Sequence, residues 1–326
     1  MTATMTRPTV SPATERAIAF VAERLPEAAD LGTRLADLTN DPEAYATELR
    51  SGLGALADPE YADGQQYVAP GIGSVLGVRR PLLGEIQRAF AKATRGERTS
   101  TWLFLVDRLL REPDLEPRWF SFGLLGRTLV DEPERTWQLI RRAAREADDW
   151  ITIDDLAHVV GKGILAEPYR WAELDQLVYS PSRWERRLIG STVATVPFVD
   201  RRLGREASVA EHGLELVSQL IGDAEPDVQK ALAWALRSLV LVNAEAVAAF
   251  CERQARVAAD GNDGHRAWVV RDALGKLPPE TASAIRRLLE GIRRRPGAPS
   301  TSAAAAAAER FGGGMLGRPL PEPPLT

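Results

Sequence analysis

The chain has 326 residues, 44% of them hydrophobic, enough for a sizeable core in one large domain or two ordinary ones. Leu, Ala, Arg and Glu outnumber the β-branched residues, which excludes a sheet protein and sets an all-α expectation. The net charge of −4 weighs against a generic nucleic-acid binder, and no stretch approaches the ~18 apolar residues of a membrane span.

Residues 1–12 are polar and rich in Pro and Thr, which predicts a flexible start without a secretory leader. Charge is uneven: residues 1–78 carry a net −6, residues 79–145 a net +5, and the remainder a net −3. Pro81 opens a helix with Leu83, Ile86, Phe90 and Ala93 on one face, and Thr99 or Ser100 can cap the next at Trp102. Pro133 suits the first turn of a helix carrying Trp137, Leu139 and Ile140. Thr152 reads as a cap that places Asp154 and Asp155 in a first turn. Ser182 and Glu185 fit a capping box. Pro226 and Pro279 mark later starts, Asn243 a cap, and Gly222, Gly261 and Gly275 helix ends. Beyond Arg293 the chain becomes Pro/Ser/Thr, an alanine run and a Gly/Pro-rich finish, so residues 294–326 are expected to be disordered.

These signals predict about twelve to fourteen helices, arranged as antiparallel pairs that bury their apolar faces by stacking. Trp-x-x-Arg recurs at Trp184/Arg187, Trp234/Arg237 and Trp268/Arg271 with irregular spacing. The expectation is a right-handed α-solenoid of degenerate HEAT-like repeats over residues 13–293. A compact, non-repetitive helical domain is the alternative.

Function points to the middle of the chain. Trp150 precedes Asp154 by one helical turn; Trp184-Glu185-Arg186-Arg187 follows, then the segment Gln229 to Arg237 around Trp234. Taken singly, Asp154 reads as a first-turn acid meeting the helix dipole, and Trp150 as a core or staple aromatic. Trp184 and Trp268 read as packing between repeats, and His158 as a hydrogen-bonded structural imidazole. The single cysteine, Cys251, excludes an internal disulfide and suits a reducing cytoplasm; with three histidines, no zinc-ligand spacing assembles.

Taken together, Trp150 and Asp154, the run Ser180 to Arg187, and the run Gln229 to Arg237 resemble the DNA alkylation repair family of AlkD-type glycosylases. The stretch Val75 to Pro81, which contains Arg79 and Arg80, is similar to the opening of that family's first repeat. The resemblance spans roughly 70–280 and implies a HEAT-like fold acting on alkylated double-stranded DNA. It implies Trp150, Asp154 and Trp234 as the lesion-facing group, with Arg187 holding DNA beside them. Arg237, Arg79 and Arg80 would contact the backbone. No cofactor, metal, membrane or obligate protein partner is implied, and a monomer suffices. A carboxylate suits cationic alkylpurines, because positive charge moves onto the deoxyribose as the glycosidic bond stretches. Indole faces attract the charged base. A non-catalytic scaffold for DNA structures or proteins is the rival, and a resistance glycosylase for bulky adducts a further alternative.

Overall fold

The computed structural model describes residues 11–312. Over that span the protein is all-α, with sixteen α-helices, three short 3-10 turns and no strand among the described residues. Two compact units divide at Glu132/Pro133, where the sequence suggests one continuous repeat domain.

The first unit contains α1 (Pro12–Ala36), α2 (Pro42–Ala55), α3 (Pro59–Val68), α4 (Arg80–Ala93), α5 (Trp102–Leu109) and α6 (Leu115–Asp131). An Asp-Pro-Glu run starts both α2 and α3. Asp41 and Asp58 accept the exposed amides of the first turn, while proline fixes φ where no donor is needed. Thr99 does not cap α5: its hydroxyl bonds to Asp131 instead, and α5 has no side-chain cap. Helix α1 packs along α4, and Tyr45, Phe90 and Trp102 form the aromatic centre, with ring centroids 5.8 and 5.0 Å apart.

The loop before α4 is fixed from α6. Glu116 is fully buried and its carboxylate accepts from the amides of Leu76, Gly77 and Val78 at 2.7–3.2 Å. Gly77 adopts φ +84°, and a Cβ there would lie 2.5 Å from the Asp58 carbonyl oxygen, so glycine is required. This loop delivers Arg79 and Arg80 to the start of α4.

The second unit holds α7 (Pro133–Glu146), α8 (Trp150–Ala166), α9 (Trp171–Leu177), α10 (Arg183–Val199), α11 (Ala207–Leu220) and α12 (Pro226–Leu239). It continues through α13 (Ala244–Gly261), α14 (Gly264–Ala273), α15 (Pro279–Leu288) and α16 (Ala303–Gly312). Starts at Pro133, Pro226 and Pro279 agree with the sequence reading, and Asn243 caps α13 through the Ala246 amide at 3.0 Å. The left-handed residue ending α13 is Asn262, φ +49°, one position beyond Gly261.

Helices α8, α10, α12 and α14 pack side by side in one layer, and α9, α11 and α13 neighbour one another in a second. Helix α10 lies between α8 and α12, so its residues Leu188–Pro197 are all buried. Each large apolar side chain contributes roughly 1.5–3 kcal/mol there. Gly190 lets α10 and α12 approach: a Cβ would meet the Ala231 backbone at 2.8 Å.

The segment expected to be disordered differs in its described part. Residues 294–302 run as a strap against α12 and α14, the Thr301 amide donating to the Gly222 carbonyl at 2.8 Å. The alanine run forms α16, which packs on α11. The anchors are polar groups without periodicity, so hydrophobic patterning gives no sign of them. Residues 1–10 and 313–326, which hold most of the expected flexible start and the Gly/Pro-rich finish, lie outside the described residues.

Candidate active site

The site begins at a helix cap. Asp149, not Thr152, caps α8: its carboxylate accepts from the Thr152 amide at 2.8 Å and the Thr152 hydroxyl at 2.5 Å. Trp150 therefore opens the helix, and Asp154 falls in its second turn, beyond the strongest reach of the dipole. The first-turn reading of Asp154 is thus replaced by a tertiary one.

Asp154 is gripped from α10. Arg187 Nε and Nη2 donate to its two oxygens at 3.1 and 2.8 Å, a forked pairing. The Ser191 hydroxyl, one turn further along α10, donates to Oδ1 at 2.6 Å. Arg187 Nη1 reaches the other way, to the Asp227 carbonyl at the start of α12, at 2.7 Å. One guanidinium thus ties three helices. Its Cζ lies 5.8 Å from the Trp150 ring centroid, so indole, guanidinium and carboxylate form one cluster.

Access is asymmetric. Arg187 is only 5% exposed, whereas the Asp154 side chain retains 19% and Trp150 is half-buried. Oδ1 accepts two of these bonds and Oδ2 one, which leaves acceptor capacity on the carboxylate.

Trp234 is half-buried on α12, and no hydrogen bond, ion pair or ring contact joins it to Trp150, Asp154 or Arg187 among the described residues. Arg237, one turn later, pairs with Asp272 of α14. In the first unit, Arg79 Nε donates to Asp58 at 2.7 Å and its Cζ lies 5.0 Å from the Tyr61 ring centroid. Arg80 is exposed and sits 4.6 Å from the Trp119 ring centroid. Both arginines expected at phosphates in the second unit, Arg187 and Arg237, are therefore matched to aspartates within the fold.

Neighbouring polar groups brace this edge. Arg186 donates to the buried Asp223 at 2.7 Å and to the Ser180 carbonyl. The box at α10 is indirect: Ser182 accepts from the Trp184 and Glu185 amides, while Glu185 meets the Ser180 hydroxyl, which accepts from the Ser182 amide. Gln229 Nε2 donates to the Asp223 carbonyl at 2.6 Å and to His265 Nδ1 at 3.0 Å. Trp184 and Trp268, expected to pack between repeats, are half-buried, with the guanidiniums of Arg183 and Arg294 over their rings. Ser191 escaped sequence reasoning, although its spacing of four from Arg187 places it on the same helix face. The Asp227 carbonyl carries no sequence signal at all.

Helical pairs in two layers, carrying an indole, a carboxylate and a guanidinium where three helices meet, define a helical-repeat protein with a polar site on one layer. The chain belongs to the DNA alkylation repair enzyme family, whose model matches residues 49–277. No curated protein matches the chain. Membership gives the protein a role in the repair of alkylated DNA. No described helix is long and apolar enough to cross a membrane.

Proposed function

We propose that the protein is a DNA N-glycosylase that releases cationic N3- and N7-alkylated purines from duplex DNA. The observation that carries this reading is the Asp154 carboxylate, pinned by Arg187 and Ser191 beside Trp150 yet still partly open. Alkylation of a ring nitrogen makes the base a good leaving group, so little proton transfer is needed. As the bond to the base stretches, positive charge accumulates on the deoxyribose. A fixed carboxylate stabilises that charge without reorganising, and its uncommitted acceptor capacity can orient the attacking water. Trp150 offers an indole face to the cationic nucleoside at its mouth, worth roughly 0.5–2 kcal/mol. Trp234 is the second indole of this reading, recruited from α12. Arg187 acts through Asp154 and holds it in place; Arg237, Arg79 and Arg80 are the backbone contacts.

The test is base release from duplexes containing 7-methylguanine or 3-methyladenine, with wild type and Asp154→Asn compared. Release well above the spontaneous rate is expected, with a fall of about 10²–10³-fold in the variant. Equal rates for the two proteins would remove the catalytic role of Asp154.

One observation favours a second reading, a scaffold that binds DNA without cleaving it. Arg187 and Arg237 are both committed to aspartates, which is what a purely structural ion-pair network requires. In that case duplex binding persists and neither wild type nor variant releases base.

A further inference from the structure

The strap that follows α15 is anchored at both ends and carries three consecutive arginines, Arg293, Arg294 and Arg295, all exposed. At its far end, the Ser300 hydroxyl and the Thr301 amide both donate to the Gly222 carbonyl, Thr301 also bonds Asp263, and Ser302 is 2% exposed. In the middle, His265 Nε2 meets the Ala298 carbonyl at 3.2 Å and its Nδ1 lies 3.0 Å from Gln229 Nε2, so the imidazole links the strap to α12. At the near end, Arg294 donates to Gln229 Oε1 at 2.8 Å and lies 4.6 Å from the Trp268 ring centroid. Glycine makes room at both contacts: a Cβ on Gly264 would stand 2.2 Å from the Arg293 carbonyl oxygen, and one on Gly222 2.3 Å from Thr301 Oγ1.

We propose that the docked strap presents Arg293 and Arg295 as a binding site for phosphates of the DNA backbone on the second unit. The proposal rests on DNA being the substrate of the chain, as its family requires, and not on the chemistry at Asp154. Arg186, Arg187, Arg237 and Arg266, on the helices beneath, each pair with an aspartate. Arg293, Arg294 and Arg295 pair with no carboxylate among the described residues, and neither does Arg271, whose guanidinium bonds only the Leu289 and Ile292 carbonyls. Burial pushes Arg271 below its ordinary pKa and the nearby Arg293 adds to that push. The cluster is thus a place of uncompensated like charge, which an incoming polyanion relieves.

Position supports the same ligand. Gln229, which holds Arg294, lies two residues from Asp227, whose carbonyl holds Arg187 against Asp154. The first two turns of α8, α10, α12 and α14 are bonded to one another in sequence along that edge, so the strap, through Arg294 and Gln229, joins the edge that carries the candidate active site. A guanidinium fork fits a phosphate, and arginines on an anchored strap lose less conformational freedom on binding than those on a free tail. The family match stops at residue 277, so the strap lies outside the matched residues.

The experiment uses full-length protein and a labelled undamaged duplex, with affinity measured across a salt series. Arg293→Gln/Arg295→Gln is compared with wild type and with Arg253→Gln/Arg256→Gln, the same charge change on two exposed arginines of α13. The strap variant is expected to bind more weakly, with a slope of log affinity against log salt shallower by about 2. The α13 variant is expected to keep the wild-type slope. An unchanged slope in the strap variant, an equal loss in the α13 variant, or no duplex binding by wild type each overturns the proposal. Strap-dependent binding without release of alkylated bases sinks the glycosylase reading alone. Base release with an unchanged slope sinks the strap site alone.

Discussion

Arg187 donates through three nitrogens to groups on α8 and α12 while only 5% exposed, so the geometry of its guanidinium matters more than its charge. A lysine keeps the charge but offers a single nitrogen, which cannot fork onto Asp154 and also reach the Asp227 carbonyl. Arg187→Lys is therefore expected to lose about 1–3 kcal/mol of stability in urea titration, because buried acceptors go unmatched. Base release should fall with it, since Asp154 loses its anchor. A variant as stable as wild type would show that the fork adds nothing to the fold. The residue types at this site were legible in the sequence, and so was the single turn between Trp150 and Asp154. Their partners were not, because an arginine's reach across a helix layer depends on which helices lie beside it. The resemblance gave Arg237 a phosphate as partner, and the fold sets it against Asp272 on α14.

Helix α8 shows what a cap contributes to function. Asp149 fixes the first turn and thereby the position of Trp150 and the register of Asp154. Burial raises the Asp149 carboxyl above its ordinary value of 3.8, outweighing the bonds from Thr152 that favour the anion. The folded chain thus holds this proton more tightly than the unfolded chain does. The stability it contributes is complete below the ordinary value and is lost as pH rises through the raised one. Asp149→Asn keeps an acceptor for the Thr152 amide without the buried charge. Its stability relative to wild type should improve as pH rises from about 4 to 7. Asp149→Ala should share that slope but lie about 1 kcal/mol below the Asn variant throughout, through loss of the cap. Denaturant titrations at several pH values check both; an Asn variant that weakens with rising pH would show that the carboxylate is needed. The sequence placed this cap three residues late, because Thr152 and Asp149 are both good caps and only the folded chain shows which amides are exposed.

At the scale of the whole chain, the two compact units separate the candidate groups. Arg79 and Arg80 belong to the first, whereas Trp150, Asp154, Arg187, Trp234, Arg237 and the strap belong to the second. The second unit has its own buried centre, from Trp137 and Ile153 through Leu188 and Leu236 to Val270. A fragment of residues 133–326 is therefore expected to unfold cooperatively, with helical circular dichroism lost in a single transition. A gradual, non-cooperative loss would show that the second unit depends on the first for its order.

Composition, proline-led helix starts and 3.6-residue periodicity determined by themselves that this chain is all-α, since each is a local property written into consecutive residues. The residue types of a carboxylate–indole site and the family they resemble were legible in the same way. Tertiary structure decided that Asp154 faces Arg187 and Ser191, and that no hydrogen bond, ion pair or ring contact among the described residues joins Trp234 to them. It also docked a stretch expected to be disordered against Gly222 and Gly264. Those outcomes depend on which helices become neighbours and on polar groups finding partners far along the chain, and neither leaves a periodic trace in sequence.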